Sequence, residues 1–265
     1  MPALVIADLH LDLWLKAGRD PFQACPPETL RSLDALFIAG DLCNKPKARW
    51  SKMLEHISRY VPLERVYVTP GNHDYYGHTF DKDDSLERIA KEAGAHFVQT
   101  RQVHIEDTRF LCCTLWTDFQ LFGDVSGGMQ DAQEKLNDYR SIRVAAAGYR
   151  RLQPIETRRK HLEHRQWLEN KLTDHFPGRT VVVTHHAPLP TAAEAIHQSL
   201  QPAYCSDLTS TIERSGVDEW LFGHTHIPVE VEIGAARVRN VSLGYPDQVA
   251  EGQEVHRLLS GWIDT

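Results

Sequence analysis

At 265 residues with 42% apolar side chains, the chain can bury the core of one large domain or two small ones, and a single domain over residues 1–265 is expected. A formal net charge of −7 argues against a protein that coats nucleic acid, and the lack of any apolar run near the roughly 20 residues of a bilayer span argues against a membrane protein. Cys25, Cys43, Cys112, Cys113 and Cys205 are odd in number and lack CxxC spacing, which excludes a disulfide framework and a thiolate zinc site and leads us to expect a soluble cytoplasmic protein.

The first segment, MPALVIADLHLDLW, has no positive leader and no small-residue cleavage site, so it reads as a buried first strand. Further short β-branched runs follow in ALFIAGD (35–41), RVYVTPGNHD (65–74), RTVVVTHH (179–186) and EWLFGHTH (219–226). Each ends in polar residues. Between them, apolar residues recur at three and four in PKARWSKMLEHISRY (46–60), DSLERIAKEAG (84–94) and TRRKHLEHRQWLENKL (157–172), which predicts helices. Strand, helix, strand alternation implies parallel pairing. Antiparallel strands are expected at 101–107, 109–116, 229–233, 236–243 and 254–263. A basic stretch from Arg140 to Arg165 marks a cap or insertion at about 129–165.

In open α/β sheets, ligands gather beyond the carboxyl ends of the strands, and all five polar clusters lie there. Asp8 and His10 are two apart, so a continuing strand would point both from one face, and His224 and His226 repeat the spacing. Asp41 follows Gly40, which allows close approach to two ions at once. Asn72 offers a carbonyl oxygen, and His185 and the GHTH histidines offer nitrogens suited to zinc, iron, manganese or cobalt. Two divalent ions against Asp8 and Asp41 leave about two positive charges, or about one with a bridging hydroxide, which attracts a phosphate. His186 faces the other way by alternation and is read as structural, as are the histidines on helices, loops and later strands, His161 and His164 among them.

The pattern Asp8-Leu-His10, Gly40-Asp41, Gly71-Asn72-His73-Asp74, Thr184-His185 and Gly223-His224-Thr225-His226 resembles the calcineurin-like metallophosphoesterases, with all five blocks in order. The resemblance implies an α/β fold, a four-layer α/β/β/α sandwich with two mixed sheets. It implies two divalent or trivalent ions, one held by Asp8, His10, Asp41 and His226, the other by Asp41, Asn72, His185 and His224. It also implies hydrolysis of a phosphomonoester or phosphodiester, a cyclic nucleotide included, by in-line attack of a metal-bridging hydroxide. His73 would then protonate the leaving oxygen, with Asp74 orienting its ring and raising its pKa.

Arginine forks bind phosphate, so Asp138, Tyr139 and Arg140 either touch a small phosphate-ester substrate or belong to a solvated helix face, the commoner meaning of such a run. Tyr75, Tyr76 and Trp116 either line a pocket or pack. Two other functions compete: a metal-dependent nuclease, which would need a basic groove, and a metal-free scaffold for protein interaction, which would need no filled ligand set.

Overall fold

The computed structural model describes residues 2–265. In chain order its strands are β1 (Pro2–Ile6), β2 (Ala35–Ala39), β3 (Val66–Thr69), β4 (His96–Phe97), β5 (Arg101–Ile105), β6 (Thr108–Cys113), β7 (Arg143–Val144), β8 (Arg150–Arg151), β9 (Arg179–Thr184), β10 (Glu219–Phe222), β11 (Glu230–Ile233), β12 (Ala236–Asn240) and β13 (Trp262–Asp264). One mixed sheet has the order β13-β1-β2-β3-β4, and a second has the order β11-β12-β10-β9-β6-β5. Antiparallel pairs stand at the edges: β13 on β1, β11 on β12 and β5 on β6.

The alternation of side chains along β1 explains the layering. Ala3 and Val5 face the second sheet, in a core shared with Phe37, Phe110, Val181 and Leu221. Leu4 and Ile6 face outward, where Trp50, Leu54 and Leu86 from the helices Pro46–Ile57 and Asp83–Ala93 cover them. On the far side Val182, Trp220 and Val238 pack under Leu168 and Ile212 of the helices Pro154–Thr173 and Thr209–Ser215. The result is the expected four-layer α/β/β/α sandwich. Parallel strands buried on both faces need the near-continuous apolar runs seen in the sequence.

Every strand that leads to a motif stops before its candidate ligand: β1 at Ile6, β2 at Ala39, β3 at Thr69, β9 at Thr184 and β10 at Phe222. The two sheets are stitched together at this end. Ala7 forms a parallel bridge with Ser242, its N–H donating to Val241 O (3.1 Å) while its carbonyl accepts from Leu243 N (2.9 Å). Asp8 is therefore anchored by both sheets.

One stretch departs from expectation. Residues 254–263 form the helix Glu254–Leu258, a 3₁₀ turn and only then β13, because Val255, Leu258 and Leu259 follow helical spacing and Glu254 stands in the first turn, bonded by Arg19. The stretch 129–165 contains the end of the helix Val125–Lys135, the short helix Asp138–Ser141, the β7–β8 hairpin and the first half of the helix Pro154–Thr173, which continues into the outer layer. Among the described residues no helix is long and apolar enough to cross a membrane.

The helix Pro154–Thr173 buries His161 and His164 against the loop after β6. His161 Nδ1 donates to Leu115 O (3.1 Å), and His164 Nδ1 accepts from Leu115 N (3.1 Å). Burial, with Lys160 nearby, holds the His164 pKa down at about 3. The unfolded chain therefore takes a proton on this residue near pH 6.5 while the folded chain refuses it until about pH 3. The stability that neutral His164 contributes is complete above pH 6.5 and is lost on acidification toward pH 3, with a slope of about 1.4 kcal/mol per pH unit. Urea titrations between pH 7 and pH 4 should show a slope shallower by about that amount in His164→Gln, whose carbonyl also accepts from Leu115. Equal slopes would refute this account.

Candidate metal centre

The motif loops leave the sheet by backbone conformations that L-residues seldom adopt. Asp8, His10, Asp41, His224 and His226 have φ of 52°, 39°, 59°, 68° and 55°, each costing on the order of 1 kcal/mol or more. Asp8 and His10 therefore do not share a face by strand alternation, as the spacing suggested. Their convergence is produced by left-handed turns held in place by neighbours: His10 N donates to Asp41 O (2.8 Å), and His224 N donates to Asp8 Oδ2 (2.8 Å).

The motif glycines serve close approach between loops. Gly40 combines φ of 90° with a position where a Cβ would stand 2.2 Å from His185 Nδ1, and a Cβ on Gly71 would stand 2.2 Å from Asp41 Oδ1. Gly223 likewise yields room to Asp8 Oδ2, 2.3 Å from where its Cβ would be. Gly40 makes space for an imidazole from a distant strand rather than only easing the turn at Asp41.

All seven expected ligand residues meet at one end of the sandwich. Asp8, His10 and His226 present donor atoms within 4.8 Å of one another, as do Asp8, Asp41 and His185. The two oxygens of Asp41 face different neighbours, Oδ2 lying 3.7 Å from His10 Nε2 and Oδ1 3.6 Å from His185 Nε2. Asp8 Oδ1 is 3.1 Å from His226 Nε2, while its Oδ2 also accepts from Ser242 Oγ (2.6 Å). His185 Nε2 is 2.9 Å from Asn72 Oδ1, and the His224 ring is 5.1 Å from that of His185.

The donors fit cations. His185 Nδ1 donates to Ala39 O (3.0 Å), and burial lowers its pKa, so in the neutral ring the Nε2 lone pair points at the Asn72 oxygen. Two lone pairs at that separation repel unless a positive centre lies between them. Donor atoms at neighbouring corners around an ion with bonds of ~2.1 Å are themselves about 3.0–3.4 Å apart, close to the distances found. Among the described residues, buried His10 has no hydrogen-bond partner on either ring nitrogen, nor has His224 on Nε2, and burial holds both rings neutral.

The carboxylates support the same reading. Burial raises the Asp41 pKa, and the charges of Asp8, Asp74 and Asp138 raise it further. Burial also opposes ionisation of Asp8, but His226 beside it, with His185 and His10, lowers its pKa. Burial acts against the charge of His226, which Asp8 and the acceptor Gln248 Oε1 (2.7 Å) nonetheless raise, so a cation taken up here displaces a proton.

His73 borders the cleft, its backbone N–H donating to Asp41 Oδ1 (2.8 Å). The expectation for Asp74 is corrected. Its carboxylate accepts from the backbone N–H groups of Asp41 (2.7 Å), Gly71 (2.9 Å) and Cys43 (3.3 Å) and from Trp50 Nε1 (2.9 Å), so it braces two loops and does not touch the His73 ring. Asn44 holds the ring instead, accepting from Nδ1 at 3.0 Å. Burial and the neighbouring His185 hold the His73 pKa down at about 4, the reverse of the shift expected from an adjacent carboxylate.

A cleft of about 470 Å³ opens over these residues, walled by Tyr76, Leu136, Asp138, Tyr204 and Tyr245. Tyr139 and Arg140 are not part of it. Tyr139 is buried with its hydroxyl on Thr157 (3.0 Å), and Arg140 is exposed with its guanidinium on the Glu134 carbonyl. A four-residue helix cannot direct consecutive side chains to one place, and of these three only Asp138 faces the cleft. Tyr76 lines the cleft, stacking on His73 at 4.3 Å, whereas Tyr75 and Trp116 pack in the core. His186 lies beneath His224, its Nδ1 donating to Thr114 O (3.2 Å), as a structural histidine would. Sequence reasoning missed Asn44, Tyr245, Gln248 and Ser242, none of which stands at motif spacing. Tyr245 stacks on His10 at 4.4 Å.

Known proteins share this fold. Among solved structures, phosphopantetheinyl hydrolase from Mycobacterium tuberculosis superposes with a TM-score of 0.71 at 20% identity, over 93% of this chain and 90% of that one. A candidate 5′-nucleotidase from Staphylococcus aureus superposes with a TM-score of 0.52 at 12% identity, over 90% of this chain and 48% of that one. A comparison with curated proteins finds no match. The model of the calcineurin-like phosphoesterases matches residues 1–228, a span that includes all seven candidate ligand residues. With two mixed sheets carrying that cluster at the ends of their parallel strands, the chain belongs to the calcineurin-like phosphoesterase family of metal-dependent phosphoesterases.

Proposed function

We propose that the chain hydrolyses small phosphate esters, phosphodiesters foremost, in the cleft above Asp41. The observation that carries this reading is the placement of Asp41, whose two oxygens face His10 and His185 on opposite sides. Asp8, His10, Asp41 and His226 would hold one ion, and Asp41, Asn72, His185 and His224 the other. Bound there, manganese, iron, zinc or cobalt ions supply Lewis acidity toward phosphoryl oxygens and a hydroxide source near neutral pH.

The chain's own residues supply the rest. His73 Nδ1 is held by Asn44, which leaves Nε2 to exchange a proton with the leaving oxygen. An anionic phosphoryl group raises its proton affinity. The walls of Tyr76, Leu136, Tyr204 and Tyr245 suit organic substituents on phosphorus, and Lys135 is the only lysine or arginine among the described residues lining the cleft. One cation is little with which to bind a polynucleotide backbone, so a nuclease is disfavoured. Five free, buried cysteines fit a reducing cytoplasm. The stretch 129–165 acts as a cap on a single domain.

A screen of p-nitrophenyl phosphate, bis-p-nitrophenyl phosphate, cyclic nucleotides and a phosphopantetheinyl diester, each with manganese, zinc, iron and cobalt, tests this. Turnover of the diesters above that of the monoester, abolished by chelation, is expected. Binding of less than about one ion per chain after supplementation would favour a scaffold instead.

A further inference from the structure

We propose that Asp138 is a positioning residue that decides which atom of the Asn72 side chain faces the ions, and so controls occupancy of the half-site that Asn72 shares with His185 and His224. The proposal rests on the reading of Asn72 as a ligand.

A carboxamide presents an oxygen on one side and an NH₂ on the other, and only the oxygen can hold a cation. Nothing in the Gly71-Asn72-His73-Asp74 loop selects between the two orientations. Asp138 does. It is 6% exposed, and its Oδ1 accepts from Asn72 Nδ2 at 2.8 Å. The Tyr76 hydroxyl donates to the same oxygen at 2.5 Å. Because the Tyr76 hydroxyl points its proton at Asp138 Oδ1, that oxygen is an acceptor with no proton to offer the amide oxygen, so the NH₂ is kept on the Asp138 side and Oδ1 on the side of His185 Nε2, 2.9 Å away.

The same atom reaches a second element of the site. Tyr76, fixed by its bond to Asp138, stacks on the His73 ring with an interplanar angle of 25°. A single carboxyl oxygen from the segment between β6 and β9, outside all five motifs, therefore holds both Asn72 and the support of His73. Partners of metal ligands matter at this level: their loss typically weakens affinity by about 10–100-fold.

Cobalt titration of the metal-free protein, followed by visible absorption and calorimetry, reads this without turnover. Wild type is expected to take two ions. Asp138→Ala should weaken the second ion about 10–100-fold and leave the first within a few-fold, while Asp138→Asn, which can still present a carbonyl oxygen to both donors, should restore most of the loss. Tyr76→Phe should retain the second ion, since the Asn72 bond to Asp138 remains. If Asp138→Ala does not fold, Asp138→Ser takes its place with the same expectation. Wild-type affinity for both ions in the folded Ala or Ser variant would overturn the proposal, as would failure of Asp138→Asn to restore binding. Asn72→Ala separates the two readings. If it too leaves both ions bound, Asn72 is not a ligand and the underlying assignment fails. If it loses the second ion while the Asp138 variants do not, only the positioning role fails.

Discussion

Asp41→Asn should lower kcat/KM for any phosphate ester by about 10³-fold or more and leave the chain with one ion or none, yet leave the metal-free fold as stable as before or more so. The two halves of that expectation come from one arrangement. Asp41 faces His10 with one oxygen and His185 with the other, so neutralising it removes the charge whose two oxygens are divided between the two groups. Without cations, however, the same carboxylate is buried beside Asp8, Asp74 and Asp138, and both burial and their charges raise its pKa. An amide of the same shape relieves that repulsion while still accepting from the His73 N–H. Sites built for ions commonly trade stability for function in this way. Calorimetric melting of chelated protein, metal analysis and steady-state kinetics on one preparation check all three statements. Activity within tenfold of wild type, or two tightly held ions, would refute the bridging role.

His73→Ala should retain both ions and lose turnover by about 10²–10⁴-fold on esters with alkyl leaving groups. The loss should be much smaller with p-nitrophenyl esters, whose leaving oxygen needs no proton. The asymmetry follows from geometry: the ring borders the cleft, is held at Nδ1 by Asn44 and stacks on Tyr76, and its remaining nitrogen is free for the substrate. Asp74 is not expected to take part in this proton transfer. Its carboxylate is used up by the backbone of two loops and the Trp50 indole. Equal losses on activated and unactivated esters would count against a role for His73 at the leaving group.

How much of this was legible in the sequence depended on whether the signal was local. The strands β1, β2, β3, β9 and β10 were visible as apolar runs because burial on both faces removes polar alternation. Their polar ends marked the loops, which brought all seven Asp, Asn and His residues to one place. The reason for their convergence was misread. Strand periodicity was extended through Asp8-Leu-His10, whereas the chain turns into left-handed conformations there that no residue pattern announces. Partners across the fold were equally silent. Asn44, Tyr245 and Gln248 meet the motif histidines through tertiary contacts, and Asp138 could be separated from Tyr139 and Arg140 only once the direction of a short helix was known. At 254–263 the apolar content was seen but the period was misjudged, and a helix took the place of a strand.

The glycines that precede Asp41, Asn72 and His224 each leave room for a residue belonging to a different motif: His185, Asp41 and Asp8 in turn. The five blocks are therefore interdependent, although they look like separate words in the sequence. A side chain added at Gly40 would first displace an imidazole far along the chain, and one added at Gly223 would disturb the aspartate near its start. Grafting any single block into another scaffold would carry over the ligands but not the spaces in which they fit, so the smallest transferable unit of this chemistry is the whole sheet end.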